Sequence, residues 1–558
     1  MDFLQRIAKR FKKENKSLNK PKDILESELE HKERWISIYI IYFTMFLISL
    51  GFSIVITGVW PYLDKLDSTA GKEFMGFVVA ANPLGQMLFS PLVGWWANKL
   101  GSIRIPVLAS LGVFIVSSAI YSSLELFEEY RKYWMLVSRF LVGVSSANIA
   151  ACRSYLSAAT RLSERTQAVS MISLAQVLGF VIGPAIQAAV VPLGDEGVWL
   201  IPGKLKLNMY TAAGWISVIL SIFNFVCFLP YIFKEHKIAI REAMHKQGMD
   251  DEESLWKEHK VDYLAAWTLL IAFFGIVFNF MLLETLATPL TMDQFAWSKA
   301  DALYYMGILM SVGAVIACAA FAAINPLCKK FTEAKVMLWG GFLFMVLGRV
   351  LYVPWGSTTP QMYNDSITLS NAPCEVINAT EVITNNMIPH NESLDGKMFN
   401  VTLELAGNNN TCYNKTEMLG CPSSQEWCSY TPVITISQFL LGYILTALGY
   451  PVGVTLIQSI FSKVLGPRPQ GVWMGLMTGS GCLSRVLGPV FVTYIYTEFG
   501  TIWTFSMTTI MMVILMIWLY WCLERLISFE ERVGLSNEVN EPQELSSLVS
   551  VPLEEPKS

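Results

Sequence analysis

Charge is scarce in this sequence. Of 558 residues, 15% are Asp, Glu, Lys or Arg and five are His, and the formal net charge is −4, too small to draw nucleic acid or a strongly charged partner. No Cys-x-x-Cys pair or His cluster offers metal-ligand spacing. No nucleophile is paired with a base, so neither an enzyme, a metal centre nor a cofactor is expected. A polar tract over residues 1–34 precedes the first apolar run, which argues against a cleavable signal peptide and leaves that run to act as the signal.

Apolar side chains fill the space that charge leaves. They make up 53% of the chain, more than one soluble core can bury, and the excess must face lipid. Runs long enough to cross about 30 Å of hydrocarbon occur at 35–60, 74–97, 105–124, 133–152, 168–190, 209–233, 263–289, 303–325, 336–355, 431–461, 471–495 and 500–522. Peptide groups in lipid must bond within their own segment, so these runs predict twelve helices. Alternating ten-residue strands of a barrel are absent. The side that holds both termini carries 29 Lys or Arg and the opposite side 9, which predicts cytoplasmic termini. The basic start from Arg6 to Lys22 reads as a solvated topology signal near anionic lipid.

The polar stretch 234–262 divides the runs into two halves, 35–233 and 263–522, between tails at 1–34 and 523–558. A repeat supports the division: 154–184 and 459–489 each run from the end of one span, through a short basic loop, to a Gly-Pro late in the next, at a constant offset of 305 residues. The segment 356–430 is the one large loop on the far side. It holds glycosylation sequons at Asn364, Asn378, Asn391, Asn400, Asn409 and Asn414, together with Cys374, Cys412, Cys421 and Cys428, an even set whose pairing the sequence leaves open. The six remaining cysteines read as small buried apolar residues. The tail after Ser528 is polar and acidic and reads as disordered.

Charged groups inside the spans are few, and each is costly unless it faces water or a partner. Arg139 lies about two turns inside the fourth run and Glu284 a similar depth inside the seventh, so the two could face each other across a cavity. Glu284 is the one carboxylate well inside a run, and hence the candidate proton carrier; a static ion pair is the alternative. Arg485 lies near the middle of the eleventh run, where it could attract an anion or bond carbonyls freed by Pro489. Arg349 reads as snorkelling at the periphery.

Between the second and third runs, GWWANKLGSIR resembles the G-x-L-a-D-r-x-G-r loop of the major facilitator superfamily, with Gly94, Asn98, Lys99, Gly101 and Arg104 at its positions. Asn98 stands where the family carries an acid. In the fifth run Gly179, Gly183 and Pro184 resemble the G-x-x-x-G-P motif of the family's antiporters, and also suit close helix packing. Longer segments, such as YFTMFLISLGFSIVITGVWPYLDKLD at 42–67, LLETLATPLTMDQFAW at 282–297 and LGPRPQGVWMGLMTGSG at 465–481, resemble one lysosomal branch of that superfamily. The resemblance implies an all-α membrane protein of the major facilitator fold, with two six-helix halves, the glycosylated loop in the lumen and a small anion or solute as cargo; that branch is linked to chloride permeation. An acidic dileucine sorting signal is absent near the start, and the nearest pattern, Glu544 with Leu548 and Val549, is imperfect. A proton-coupled carrier of a small organic solute and a non-transporting scaffold or sorting receptor remain the competing readings. Oligomeric state is not legible.

Overall fold

The computed structural model describes residues 25–56, 58–67, 71–194, 197–201, 205–247, 261–362, 420–422 and 425–532. The basic start, the six sequons, Cys374, Cys412 and the chain after Arg532 lie outside these residues. In chain order the first half contains α1 (Glu28–Ile56), α2 (Val59–Leu66), α3 (Gly71–Leu100), α4 (Arg104–Ser122), α5 (Arg131–Ser146), α6 (Asn148–Ala159), α7 (Leu162–Val190) and α8 (Thr211–Cys227). Helix α9 (Ile238–Gln247) lies in the connection. The second half contains α10 (Tyr263–Phe295), α11 (Lys299–Lys330), α12 (Glu333–Tyr352), α13 (Ile436–Leu465) and α14 (Gly471–Trp521).

Ten of these segments, counting α5 and α6 as one, are long and apolar enough to cross a membrane. Helix α8 is apolar but shorter, and α14 is broken at Gly500, whose φ of 82° and ψ of −171° are not helical. With α8 and that break, the helical runs fall at all twelve expected places. Where helices begin in polar surroundings the sequence supplies caps: Asp262 accepts from Ala265 N, and Ser298 from Asp301 N. Between α7 and α8 the chain forms a small antiparallel hairpin, β1 (Val198–Ile201) with β2 (Leu205–Leu207), which an all-helical reading did not contain.

Small residues set the spacing within each half. A Cβ on Gly179 would lie 2.3 Å from Phe46 O and one on Gly183 1.9 Å from Ser53 Oγ, so α7 packs directly on α1, as the close-packing reading of that motif expects. The apolar core of each half lies between its own helices.

At the end of the molecule that holds both termini, an ionic collar ties the start of the chain to the first half. Arg34, fully buried, donates to Glu26 Oε2 at 2.8 Å and to Glu164 Oε2 at 3.0 Å, and Arg161 reaches Glu26 Oε1 at 2.8 Å. Burial alone would raise the Glu26 carboxyl, but the hydrogen bonds from Arg34 and His31 and the charge of Arg34 hold it down to about 2, against its ordinary 4.5. A lowered value means that the carboxylate stabilises the fold at all pH above 4.5 and loses that contribution as pH falls toward 2. Glu26→Gln is therefore expected to cost about 3 kcal/mol near neutral pH, read as a lower melting midpoint. The difference from the unaltered chain should shrink only below about pH 4.5.

The first residues of the tail, up to Arg532, depart from its expected disorder. Phe529 is 2% exposed, Arg468 lies over its ring, and Arg532 reaches Asp262 at 3.5 Å. One buried aromatic and a chain of charges were enough to dock residues 528–532.

Candidate functional site

The two halves meet at the terminal end along α3 with α14 and α7 with α11 and α13. Gly94 and Gly471 face each other so closely that a Cβ on Gly94 would come within 2.0 Å of Gly471 O. Beside them Asn98 Oδ1 accepts from Gly471 N at 2.9 Å. A neutral amide thus makes this contact at the position where the family motif carries an acid. Lys99 lies over the Trp95 ring, Gly101 takes a φ of 64° at the turn, and Arg104 donates to Phe233 O at 2.7 Å. The motif joins one half to the other through Gly94 and Asn98, and Arg104 ties its loop to Phe233 within the first half.

The repeat reappears in this junction. Ser157 and Ser462, 305 residues apart, hydrogen-bond to each other at 2.7 Å. Arg165 Nη2 donates to Ser157 O at 3.1 Å, and Gln470, its counterpart at the same offset, donates to Ser462 O at 2.8 Å. Lys463 bridges Glu333 at 2.7 Å and Thr166 at 2.9 Å. The hydrogen bonds that join the halves cluster here, so this end is closed.

Above the closed end lies a group of polar side chains between the halves. Arg485 of α14 and Glu284 of α10 are both exposed, and protein nevertheless surrounds Glu284, which sets Glu284 on the wall of a cleft with Arg485 within electrostatic reach of it. They act on each other electrostatically, without a direct ion pair among the described residues. Arg153 of α6, half-buried, lies within electrostatic reach of Arg485, and its Nη2 donates to Gln176 at 3.2 Å. Tyr450 of α13 is near all three charges and stacks on Phe280 with ring centres 4.0 Å apart. Two arginines and one carboxyl group thus share the cleft wall, with basic groups in excess.

The expected partnership of Arg139 with Glu284 does not form. Arg139 points into the interior of the first half, over the ring of Phe52 at 5.7 Å and beside Tyr121. The reason is local: α5 ends at Ser146 and the span turns at Ala147 into α6, so the span's cleft-facing cation is Arg153 rather than Arg139. Arg349 is also not peripheral. It is fully buried, donates to Asn279 O and lies over Tyr352. Sequence reading counted Arg153 among the basic residues that set topology. Its signal was position: it stands in the turn just before the repeated segment.

On the opposite end, Cys421 and Cys428 form a disulfide, which settles one pairing that the sequence left open. Trp427, held by this loop, packs against Tyr496 and fills the space beside Gly500, where a Cβ would come within 2.6 Å of it. Tyr496 OH donates to Asp293 at 2.8 Å.

Two helical halves, closed at one end around a charged cleft, define a multi-pass membrane transport protein, and the chain belongs to the Major Facilitator Superfamily, whose model matches residues 41–380 and 426–552. Within that family it is 37% identical to Major facilitator superfamily domain-containing protein 8 of Xenopus laevis over 515 residues, 91% of this chain and 95% of that one. Multidrug resistance protein 2 of Bacillus subtilis is 26% identical over 312 residues, 54% of this chain and 70% of its own length. Among solved structures, the proton:xylose symporter XylE matches with a TM-score of 0.61 at 11% identity, covering 90% of this chain and 99% of its own. The human organic anion transporter MFSD10 matches with a TM-score of 0.55 at 15% identity, covering 87% and 99%. These two share the fold.

Proposed function

We propose that the chain carries a small anion, chloride foremost, through the cleft between its halves, in the membrane of the lysosome or late endosome. One observation carries this reading: Arg153 and Arg485 lie within electrostatic reach of each other, and among the described residues Glu284 is the carboxylate coupled to Arg485. Like charges are brought together at a cost, and an anion between them offsets it. A guanidinium replaces part of an ion's hydration while the nearby carboxylate keeps binding weak enough for release. The relative from Xenopus laevis supports the same branch of the family.

Glu284 also supports a second reading, a proton-coupled carrier of a small organic solute, because an accessible carboxylate beside a cation can take and give a proton as the cleft opens to either side. Flux into liposomes with and without chloride, at two lumenal pH values, separates the two. Under the anion reading Glu284→Gln leaves chloride flux intact or raised. If instead the variant abolishes a pH-driven uptake that chloride does not affect, the carrier reading stands and the anion reading fails.

Both termini are assigned to the cytoplasm and 356–430 to the lumen, on the charge asymmetry and the six sequons. N-glycosidase treatment is expected to lower the mass by several glycans, and Asn→Gln at Asn364, Asn378, Asn391, Asn400, Asn409 and Asn414 together to remove the shift. Unchanged mobility in the untreated and treated chain would reverse the topology.

A further inference from the structure

We infer that the interior of the first half holds a resident small monovalent anion on Arg139, separate from the cleft. Arg139 is 3% exposed, and its Nε is buried with no hydrogen-bond partner. The guanidinium meets an aromatic face, Phe52, and of the titratable groups among the described residues only Tyr121 lies near enough to act on it. Among the described residues, no carboxylate acts on it from the helices packed around it. The side chain borders a cavity walled by Gly51 and Val55 of α1, Ser118 and Tyr121 of α4, Ser138 of α5 and Gly214 of α8. Its free space is about 10 Å³, the scale of one water-sized particle.

A buried cation left uncompensated is among the most destabilising features a fold can carry. A water in the cavity would accept a hydrogen bond and leave the charge standing. A halide, somewhat larger than a water, does both: it accepts from the guanidinium and neutralises it. The hydroxyl of Ser118 stands on the same wall as a further donor, in surroundings where each charge-assisted bond is strong; that of Ser138 is already given to Met135 O at 2.8 Å. Its lining comes entirely from the first half, so its occupant belongs to that half rather than to the charges around Arg485.

The test uses the full chain, purified in detergent with Arg485→Gln in place so that the cleft does not report. Replacing gluconate by chloride is expected to raise the melting midpoint by several degrees, because an ion that binds only the folded state stabilises it by mass action. Arg139→Met on that background should lose the chloride response, and in gluconate should melt no lower than its parent, since it removes the unpaired charge. Equal midpoints in the two anions for the parent would overturn the proposal. Should the Met variant fail to fold, crystals of the unaltered chain grown in bromide decide the matter: an anomalous peak within hydrogen-bond reach of Arg139 supports the site, and a cavity without one overturns it.

Discussion

Replacing Arg485 by Gln is expected to reduce chloride flux through the reconstituted protein by roughly 10- to 100-fold, with glycosylation and assembly unchanged. A hydrogen bond to a charged group contributes about 1.5–3 kcal/mol, and each 1.4 kcal/mol is about a factor of ten in binding. Arg485 is exposed to the cleft, so its loss leaves no cavity to collapse and Gln keeps most of the volume. Glu284 then loses its nearest cation. An exposed carboxylate left alone repels the anion, which adds to the effect. Arg153→Gln should act in the same direction but less strongly, because Arg153 also holds Gln176. The double variant should fall short of the product of the two, since both cations serve one ion. Wild-type flux in both single variants would make these arginines structural.

Gly94→Ala is expected to force the terminal end open. The added methyl would stand 2.0 Å from Gly471 O, on backbone that has nowhere to go while α3 and α14 stay in contact. Overpacking of this kind costs about 1–3 kcal/mol. Here it falls on the closed form alone, so the closed population drops by roughly 5- to 150-fold relative to the open one. Ser462, fully buried at the junction and bonded to Ser157, supplies the reporter. A cysteine placed there should react slowly with a thiol reagent in the parent and much faster with Gly94→Ala. Gly76→Ala, where a methyl meets nothing within 4 Å, is the control and should leave labelling unchanged. Equal labelling in all three would mean that the Gly94–Gly471 contact does not hold the halves shut.

Periodicity and length were enough to read the helices, because lipid forces every span to close its own hydrogen bonds. The division into halves followed from the polar stretch 234–262 with support from the 305-residue repeat, and the same offset could have located the Ser157–Ser462 contact, since elements related by such an axis meet on it. The motif at Gly94 was legible in its spacing, but its partner Gly471 was not: a close backbone approach leaves no signal beyond one more glycine. Arg139 does not meet Glu284 as expected, because depth along a span says nothing about which face a side chain takes. Where a helix turns in mid-span, as at Ala147, that face cannot be extrapolated from one end. Arg153 looked like a topology signal because basic residues at span ends usually are. Phe529 was hidden in a polar tail, where one aromatic does not alter the mean composition.

The most direct measurement is chloride entry into liposomes that contain the purified full chain, with potassium entry recorded in parallel and empty liposomes as reference. Two cations beside one carboxylate on the cleft wall are expected to give chloride flux well above the reference, potassium flux close to it, and a reversal of that preference when Arg485 is replaced by Glu. Chloride entry no faster than into empty liposomes, or a preference that Arg485→Glu leaves untouched, would contradict the assignment of the cleft to anions.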